Sequence, residues 1–337
     1  MAESSKTAQI SFITRIREVI PPSHSLVDEL ADTLGISNDS AYRRIRGETS
    51  LTIDEVSRLC TRYKLTFDVF GNSMADRVTF NYHHLENDIA RFETYLKNIR
   101  DDLKKITVTE KKEMIFAAED VPVFHHFSYP LLSAFKIFYW NKSILNAPSL
   151  EGKKFDPALI PGDLCQLAKE IYTLYMDVPA VEIWTDDTLN STLKQIEYYM
   201  ESGLFETREQ AIAVCDEVEA MIRTIERQAE HSIKFTGENP PPGRETNYTL
   251  YNSELMIGNN CVLVTIGSSK AVYLSHNTFN SMVTINPSFC EETERWLRNL
   301  SKKSIPISGV SEKQRYRFFK ILYDKIDAVK KKVETTF

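Results

Sequence analysis

The chain has no apolar run long enough to cross a bilayer. Its longest, around Tyr129 to Trp140, is about twelve residues and contains Lys136, whereas a spanning helix needs roughly 20. The opening Met-Ala-Glu-Ser-Ser-Lys lacks the basic-then-apolar pattern of a secretory signal. There is no CxxC. The five cysteines (Cys60, Cys165, Cys215, Cys261, Cys290) are odd in number and scattered, the pattern of buried free thiols in a reducing compartment. These absences predict a cytoplasmic protein with no membrane partner.

Catalytic signatures are missing too. Gly152-Lys153 is followed by Lys154, and Ala147 stands where a phosphate loop needs its first glycine. No GxGxxG, GxSxG or HExxH occurs. The adjacent pairs His83-His84 and His125-His126 make poor metal chelates, because sequence neighbours project to different sides. The expectation is therefore a protein that is not an enzyme, with no catalytic residue, no metal and no cofactor. His125-His126, close to Asp120 and to an aromatic run, is the best candidate for a buried polar site. The segment from Lys302 to Arg317 crowds Ser, Lys and Arg near a helix start, chemistry able to hold an anion; a solvated loop with a Ser311/Gln314 capping box is the plainer reading.

What is present is an ordinary folded composition: 337 residues, 42% apolar and 26% charged. That length suits two or three domains, since single cores rarely grow past about 250–300 residues. Lys plus Arg number 41 against 47 Asp plus Glu, a formal charge of −6. Bulk charge thus excludes a protein that coats nucleic acid but allows a local basic face.

The first 72 residues show where such a face could lie. Ile10, Ile13, Ile16 and Ile20 predict an amphipathic helix stopped by Pro21-Pro22. Leu26, Val27, Leu30 and Leu34 predict a second helix, ended by Gly35 where a left-handed backbone is easy. After Ile36, Ser37 or Asn38 can cap a short third helix that ends at Gly47. Thr52 and Glu55 then form a capping box for a fourth helix through Arg62. Tyr42 and Ile45, three apart, are expected to point inward. Between Ala41 and Lys64 six basic residues face three acidic ones.

Helix, three-residue turn with glycine, helix is the arrangement that lays a second helix in the DNA major groove. This segment resembles the lambda-repressor-like (Cro/XRE-type) helix-turn-helix family. The matching features are Ala31 at the helix crossing, Leu34-Gly35-Ile36 at the turn, Ser40-Ala41 within the second helix and Arg46-Gly47 closing it. Leu51-Thr-Ile-Asp-Glu and Leu65-Thr-Phe-Asp-Val-Phe resemble that family's later helices. Arg44 departs from it, standing where the family usually has an apolar residue, which leaves the rotation of the helix open by up to one position. The resemblance implies a DNA-binding face of Ser37, Asn38, Asp39, Ser40, Arg43, Arg44 and Arg46. The first four would meet base edges or phosphates, and the arginines guanine or phosphate.

Beyond Gly71, Val78, Tyr82, Leu85, Ile89, Phe92, Leu96, Ile99, Leu103 and Ile106 alternate spacings of four and three, an a/d heptad. It predicts a helical connector over 73–106, either a parallel coiled coil joining two protomers or a helix packed within its own chain. From 107 to 337 the expectation is an α+β sensor or assembly domain. A strand at Glu113 to Ala118 precedes a helix from Leu131 to Leu145 capped by Ser128. Helices follow at Asp163 to Asp177, Asp186 to Ser202 and Arg208 to Ile233. A three-stranded antiparallel meander (Tyr248 to Ile257, Cys261 to Ile266, Ala271 to Ser275), with a fourth strand near Met282 to Ile285, precedes two closing helices. By architecture alone this resembles ligand-sensing domains of the PAS and GAF types.

The fold class expected is thus mainly α with a small antiparallel sheet. The function expected is a dimeric transcriptional regulator, a repressor-type protein whose partners are double-stranded DNA, a second copy of itself and a small-molecule or peptide effector. The alternative is a helical scaffold in which the helix-turn-helix contacts a peptide or protein.

Overall fold

The computed structural model describes residues 2–21, 24–63, 65, 78–82, 89–237, 239–276 and 280–336. The chain divides into two compact units, one of residues 1–80 with 284–289 and one of residues 81–283 with 290–337.

The first unit is helical: α1 (Ala2–Val19), α2 (Leu26–Leu34), α3 (Asn38–Ile45) and α4 (Ile53–Tyr63). Ser25 opens α2 by accepting from the Asp28 N–H, and Gly35 closes it at φ 68° with its own N–H on the Ala31 carbonyl. Ser37, rather than Asn38, is the cap of α3. The Thr52/Glu55 box is complete, each side chain accepting the other's backbone N–H at 2.9 and 3.2 Å. Phe12, Ile13, Ile16, Leu30, Ala31, Ala41 and Leu59 form the centre of the core. Ile10 is not among them; it is half exposed, and Phe12 takes the buried place on α1. The tail from residue 66 to 70 lies outside the described residues.

The expected connector is not one helix. Val78 lies in extended chain and Tyr82 in strand β1 (Asn81–Tyr82); Leu85 lies outside the described residues, as does the His83-His84 pair. Helix α5 starts only at Ile89 and runs to Thr107. Its seam residues Phe92, Leu96, Leu103 and Ile106 are buried in the second unit's core, where α5 packs along α8 (Gly162–Met176). The seam is therefore filled within the chain rather than left open for a coiled-coil partner.

The second unit is built on an eight-stranded mixed sheet in the order β1-β7-β6-β5-β2-β3-β4-β8, not a small antiparallel one. Strands β2 (Lys112–Ala117), β3 (Ala180–Trp184) and β4 (Tyr248–Asn252) run parallel at its centre. Parallel neighbours need crossovers, and helices supply them. The first crossover holds α6 (Val123–His126), α7 (Pro130–Tyr139) and α8; the second holds α9 (Asn190–Glu201) and α10 (Arg208–His231). Ser128 does not cap α7: the cap residue is Tyr129, Pro130 occupies the first turn, and a π turn over Trp140–Ile144 follows.

Strand β5 (Cys261–Ile266) pairs antiparallel with β2 and, through the two-residue turn Gly267-Ser268, with β6 (Ser269–His276). Hence only the second half of the expected meander forms. The strand at Tyr248 pairs in parallel with β3 instead of with β5, and β3 itself is not expected from the sequence because Glu182 interrupts its apolar run. Strand β7 (Asn280–Thr284) and strand β8 (Ile305–Pro306) extend the two sides, and β8 pairs antiparallel with β4. Three parallel central strands with helical crossovers remove the architectural basis for the PAS and GAF comparison. Helices α11 (Pro287–Lys303) and α12 (Glu312–Thr336) close the chain. Among the described residues, no helix is long and apolar enough to cross a membrane.

Candidate nucleic-acid interface and a buried polar centre

Ala41 is fully buried and Ile45 packs against the core of the first unit, which sets the rotation of α3. Asn38, Asp39, Tyr42, Arg43 and Arg46 are left exposed. Their spacing of one, three, one and three is that of a single helix face. Tyr42 thus points outward, opposite to expectation, with 52% of its surface exposed.

Arg44 turns inward. Its Nε and Nη2 donate to the Glu55 carboxylate, the shortest contact 2.7 Å, and its Nη1 donates to the Ser40 carbonyl at 3.2 Å. Burial alone would raise the Glu55 carboxyl, but the Arg44 guanidinium and the Thr52 N–H outweigh it and hold it below its usual value. The position that carries an apolar residue in lambda-repressor-like helices is here filled by an ion pair from α3 to α4. Arg44 is accordingly engaged within the fold, and Ser40 is half-buried with its N–H on the Ser37 cap.

The remaining arginines are exposed but paired: Arg43 with Asp39 at 3.3 Å and Arg46 with Glu48 at 3.1 Å. Asn38 donates to Asp28 at 3.1 Å. Such exposed pairs are weak, so a phosphate can replace either carboxylate.

The second unit contains the polar site anticipated at the adjacent histidines. Both are buried, and they point to different partners. His125 Nε2 lies 2.9 and 3.2 Å from the two carboxylate oxygens of Glu182, at the centre of β3. The same carboxylate accepts from Trp184 Nε1 at 2.9 Å, from the Tyr248 hydroxyl at 3.1 Å and from the Tyr175 hydroxyl. Burial penalises the charge of Glu182, yet His125 and the Tyr175 hydroxyl outweigh it and hold the carboxyl below its usual range. Lys234, fully buried, sits 3.5 Å over the Tyr175 ring and donates to the Tyr175 carbonyl at 2.7 Å. Desolvation brings its ammonium down to about 7, although Glu182 opposes that shift.

His126 faces the other way. Its Nε2 is 3.1 Å from the Thr192 hydroxyl, which also accepts from Lys136 at 3.2 Å. Burial, reinforced by Lys136 and His125, keeps the His126 pKa well below its usual value. Lys136 also donates to Gln195 at 2.9 Å and lies 3.9 Å from Asp120; desolvation lowers it and Asp120 works against that.

Glu182 is 0% exposed and His125 2%, so no outside molecule reaches the carboxylate in this conformation. The centre ties β3 to α6, α8 and β4. Its histidines were legible as a buried pair, but Glu182, Tyr175, Tyr248 and Lys234 were not, because they come from four separate segments. The one local signal was a lone glutamate inside the apolar Ala180–Trp184 run. The suspected anion-holding segment resolves as structure: Arg315 is buried, and its Nη1 donates to the carbonyls of Ile307 and Gly309 at 3.2 and 2.7 Å.

Comparison with protein-family models, with curated proteins and with solved structures returns no match to this chain.

Proposed function

We propose that the first unit is a lambda-repressor-like DNA-binding head. On this reading the protein is a cytoplasmic transcriptional regulator that occupies operator DNA as a homodimer, while the second unit senses an effector or assembles the protein. The observation that carries the proposal is the α2–turn–α3 geometry. Gly35 is left-handed at φ 68°, Ala31 and Ala41 are buried at the crossing, and one face of α3 presents Asn38, Asp39, Tyr42, Arg43 and Arg46 to solvent.

The chemistry follows from that face. The start of α3, with Ser37 and Asn38, suits phosphate or base edges, and Arg43 and Arg46 can take guanine bidentately or phosphate by charge. Tyr42, between them, offers a flat apolar edge to a thymine methyl. Two heads reading half-sites about 34 Å apart require a dimer. Because the α5 seam is filled within the chain, the dimer contact in this reading belongs to another surface.

The test is binding of the full chain to fragments from its own promoter region, at two salt concentrations, with competitor DNA. Tight, salt-sensitive binding to one fragment, weakened by Arg43→Ala and Arg46→Ala, supports the reading; no binding by a folded dimer with or without cell extract counts against it. The pairing of Arg43 with Asp39 and of Arg46 with Glu48 favours one alternative, a protein-contact module on a helical scaffold. DNA binding with little salt dependence would favour that alternative, since phosphate contacts release counterions.

A further inference from the structure

Helix α10 carries a surface cleft of about 380 Å3 that none of the preceding arguments uses. Asp216, Glu219, Ala220, Arg223, Thr224 and Arg227 line it together with Tyr129. The six positions on α10 are three, one, three, one and three apart, so they form one stripe of the helix. Ala220 has the smallest side chain of the lining and stands mid-stripe, between Glu219 and Arg223. Tyr129 forms the wall, its hydroxyl 2.6 Å from Thr224 Oγ1 and 2.9 Å from the Ala220 carbonyl.

The charges along this stripe are ordered. The carboxylates Asp216 and Glu219 stand at one end and the guanidinium groups Arg223 and Arg227 at the other. The acidic end is already matched, because Lys330 of α12 lies 2.7 Å from Asp216 and 2.6 Å from Glu219. The basic end is not. Arg223 shares Glu219 through one nitrogen at 2.6 Å, with 65% of its side chain exposed. Arg227 makes no ion pair among the described residues; it rests against the Phe235 ring at 5.8 Å. With Lys330 included the lining carries three positive and two negative groups.

We infer that this cleft binds a small organic oxyanion, its carboxylate held by the forks of Arg223 and Arg227 and its carbon skeleton laid over Ala220 beside Tyr129. A guanidinium fork matches the two oxygens of a carboxylate, and two forks one helical turn apart match a dicarboxylate better than a monocarboxylate. The cleft volume lies within the range of roughly 300–1,000 Å3 common for metabolite sites. A phosphate ester offers the same oxyanion chemistry and is separated from a carboxylate by the test. Occupancy would act as an effector signal only under the regulator reading above; the binding itself does not depend on that reading.

The experiment is calorimetric titration of the full chain with succinate, acetate, inorganic phosphate and glycerol phosphate, at constant ionic strength. The expected result is saturable binding of succinate, tighter than that of acetate. Arg223→Gln and Arg227→Gln should each weaken it about tenfold, the loss of one charge-assisted hydrogen bond. Ala220→Leu, which keeps every charge and adds bulk mid-stripe, should weaken it as much, and circular dichroism checks that each variant is folded. Tighter binding of glycerol phosphate than of succinate would overturn the carboxylate assignment. Absence of saturable binding by all four compounds, or binding indifferent to the three substitutions, would overturn the site. Operator affinity measured with and without succinate is a separate readout, and its failure would bear on the regulator reading alone.

Discussion

Arg44 on α3 and Glu55 on α4 form an ion pair whose side chains are only 16% and 15% exposed. A position expected to face either DNA or the core does neither in the ordinary way: it reaches the core side as a charge and takes its counter-charge along. Thr52 completes the arrangement, since Glu55 also accepts the N–H that opens α4.

Removing one partner leaves the other half-buried and unmatched. Arg44→Ala is therefore expected to destabilise the first unit by about 1–3 kcal/mol. The joint replacement Arg44→Met with Glu55→Leu should recover much of that loss, because an apolar pair of similar size carries no desolvation cost. Urea unfolding followed by circular dichroism measures both. Equal stability of Arg44→Ala and the native chain would show that the pair contributes nothing.

Glu182 is the hub of four side chains in the second unit, Tyr175, Tyr248, Trp184 and His125, whose one ring nitrogen reaches both carboxylate oxygens. Glu182→Gln turns one acceptor oxygen into a donor facing donors, and about 3–5 kcal/mol of stability should go with it. The folded carboxyl sits below its ordinary 4.5. Its contribution is thus fully present above 4.5 and disappears as pH falls through the lower folded value. Acid unfolding of the native chain should therefore be steeper than that of Glu182→Gln; superimposable acid curves would remove Glu182 from the account.

Lys234 tilts the profile in the same direction, in a higher window and for a different reason: burial penalises its charged form. Its folded value is about 7 against an ordinary 10.5. Between those two the unfolded chain holds a proton that the folded chain has released, so stability rises with pH across that window. Below about 7 both states are protonated and the rise is absent. Lys234→Met should flatten the profile between about 7 and 10.5, as read from melting temperatures in a buffer series. An unchanged slope would mean that Lys234 keeps its proton in the fold.

The α5 seam supplies the last expectation. Leu96 is fully buried in the second unit, and Leu96→Ala should cost about 2–5 kcal/mol. If the seam packs only within the chain, the melting temperature of neither the native chain nor the variant depends on protein concentration through this helix. A native melting temperature that falls on dilution, closing the gap to the variant, would instead place Leu96 between protomers.

Short-range patterns alone determined a good deal of this protein. The caps at Ser37 and Thr52/Glu55, the stop at Gly35 and the α10 start at Thr207, which accepts the Gln210 N–H at 3.2 Å, each depend on residues within about one helical turn. The same holds for the divergence of His125 and His126, which follows from adjacency. Such features are decided by backbone geometry and by hydrogen bonds that close locally.

Tertiary structure decided which surfaces those elements bury. Tyr42 lies outside and Arg44 inside because Ala41 and Ile45, fitted against α1, α2 and α4, set the turn of α3. The strand at Tyr248 lies beside β3 rather than β5 because β2 separates β5 from β3 and the α9–α10 crossover returns the chain to the free side of β3. The heptad on α5 closed on α8 of its own chain, a partner that no periodicity names. Burial and long-range pairing are properties of the whole packed chain, and a window of a few residues records only that a face is apolar, not what will cover it.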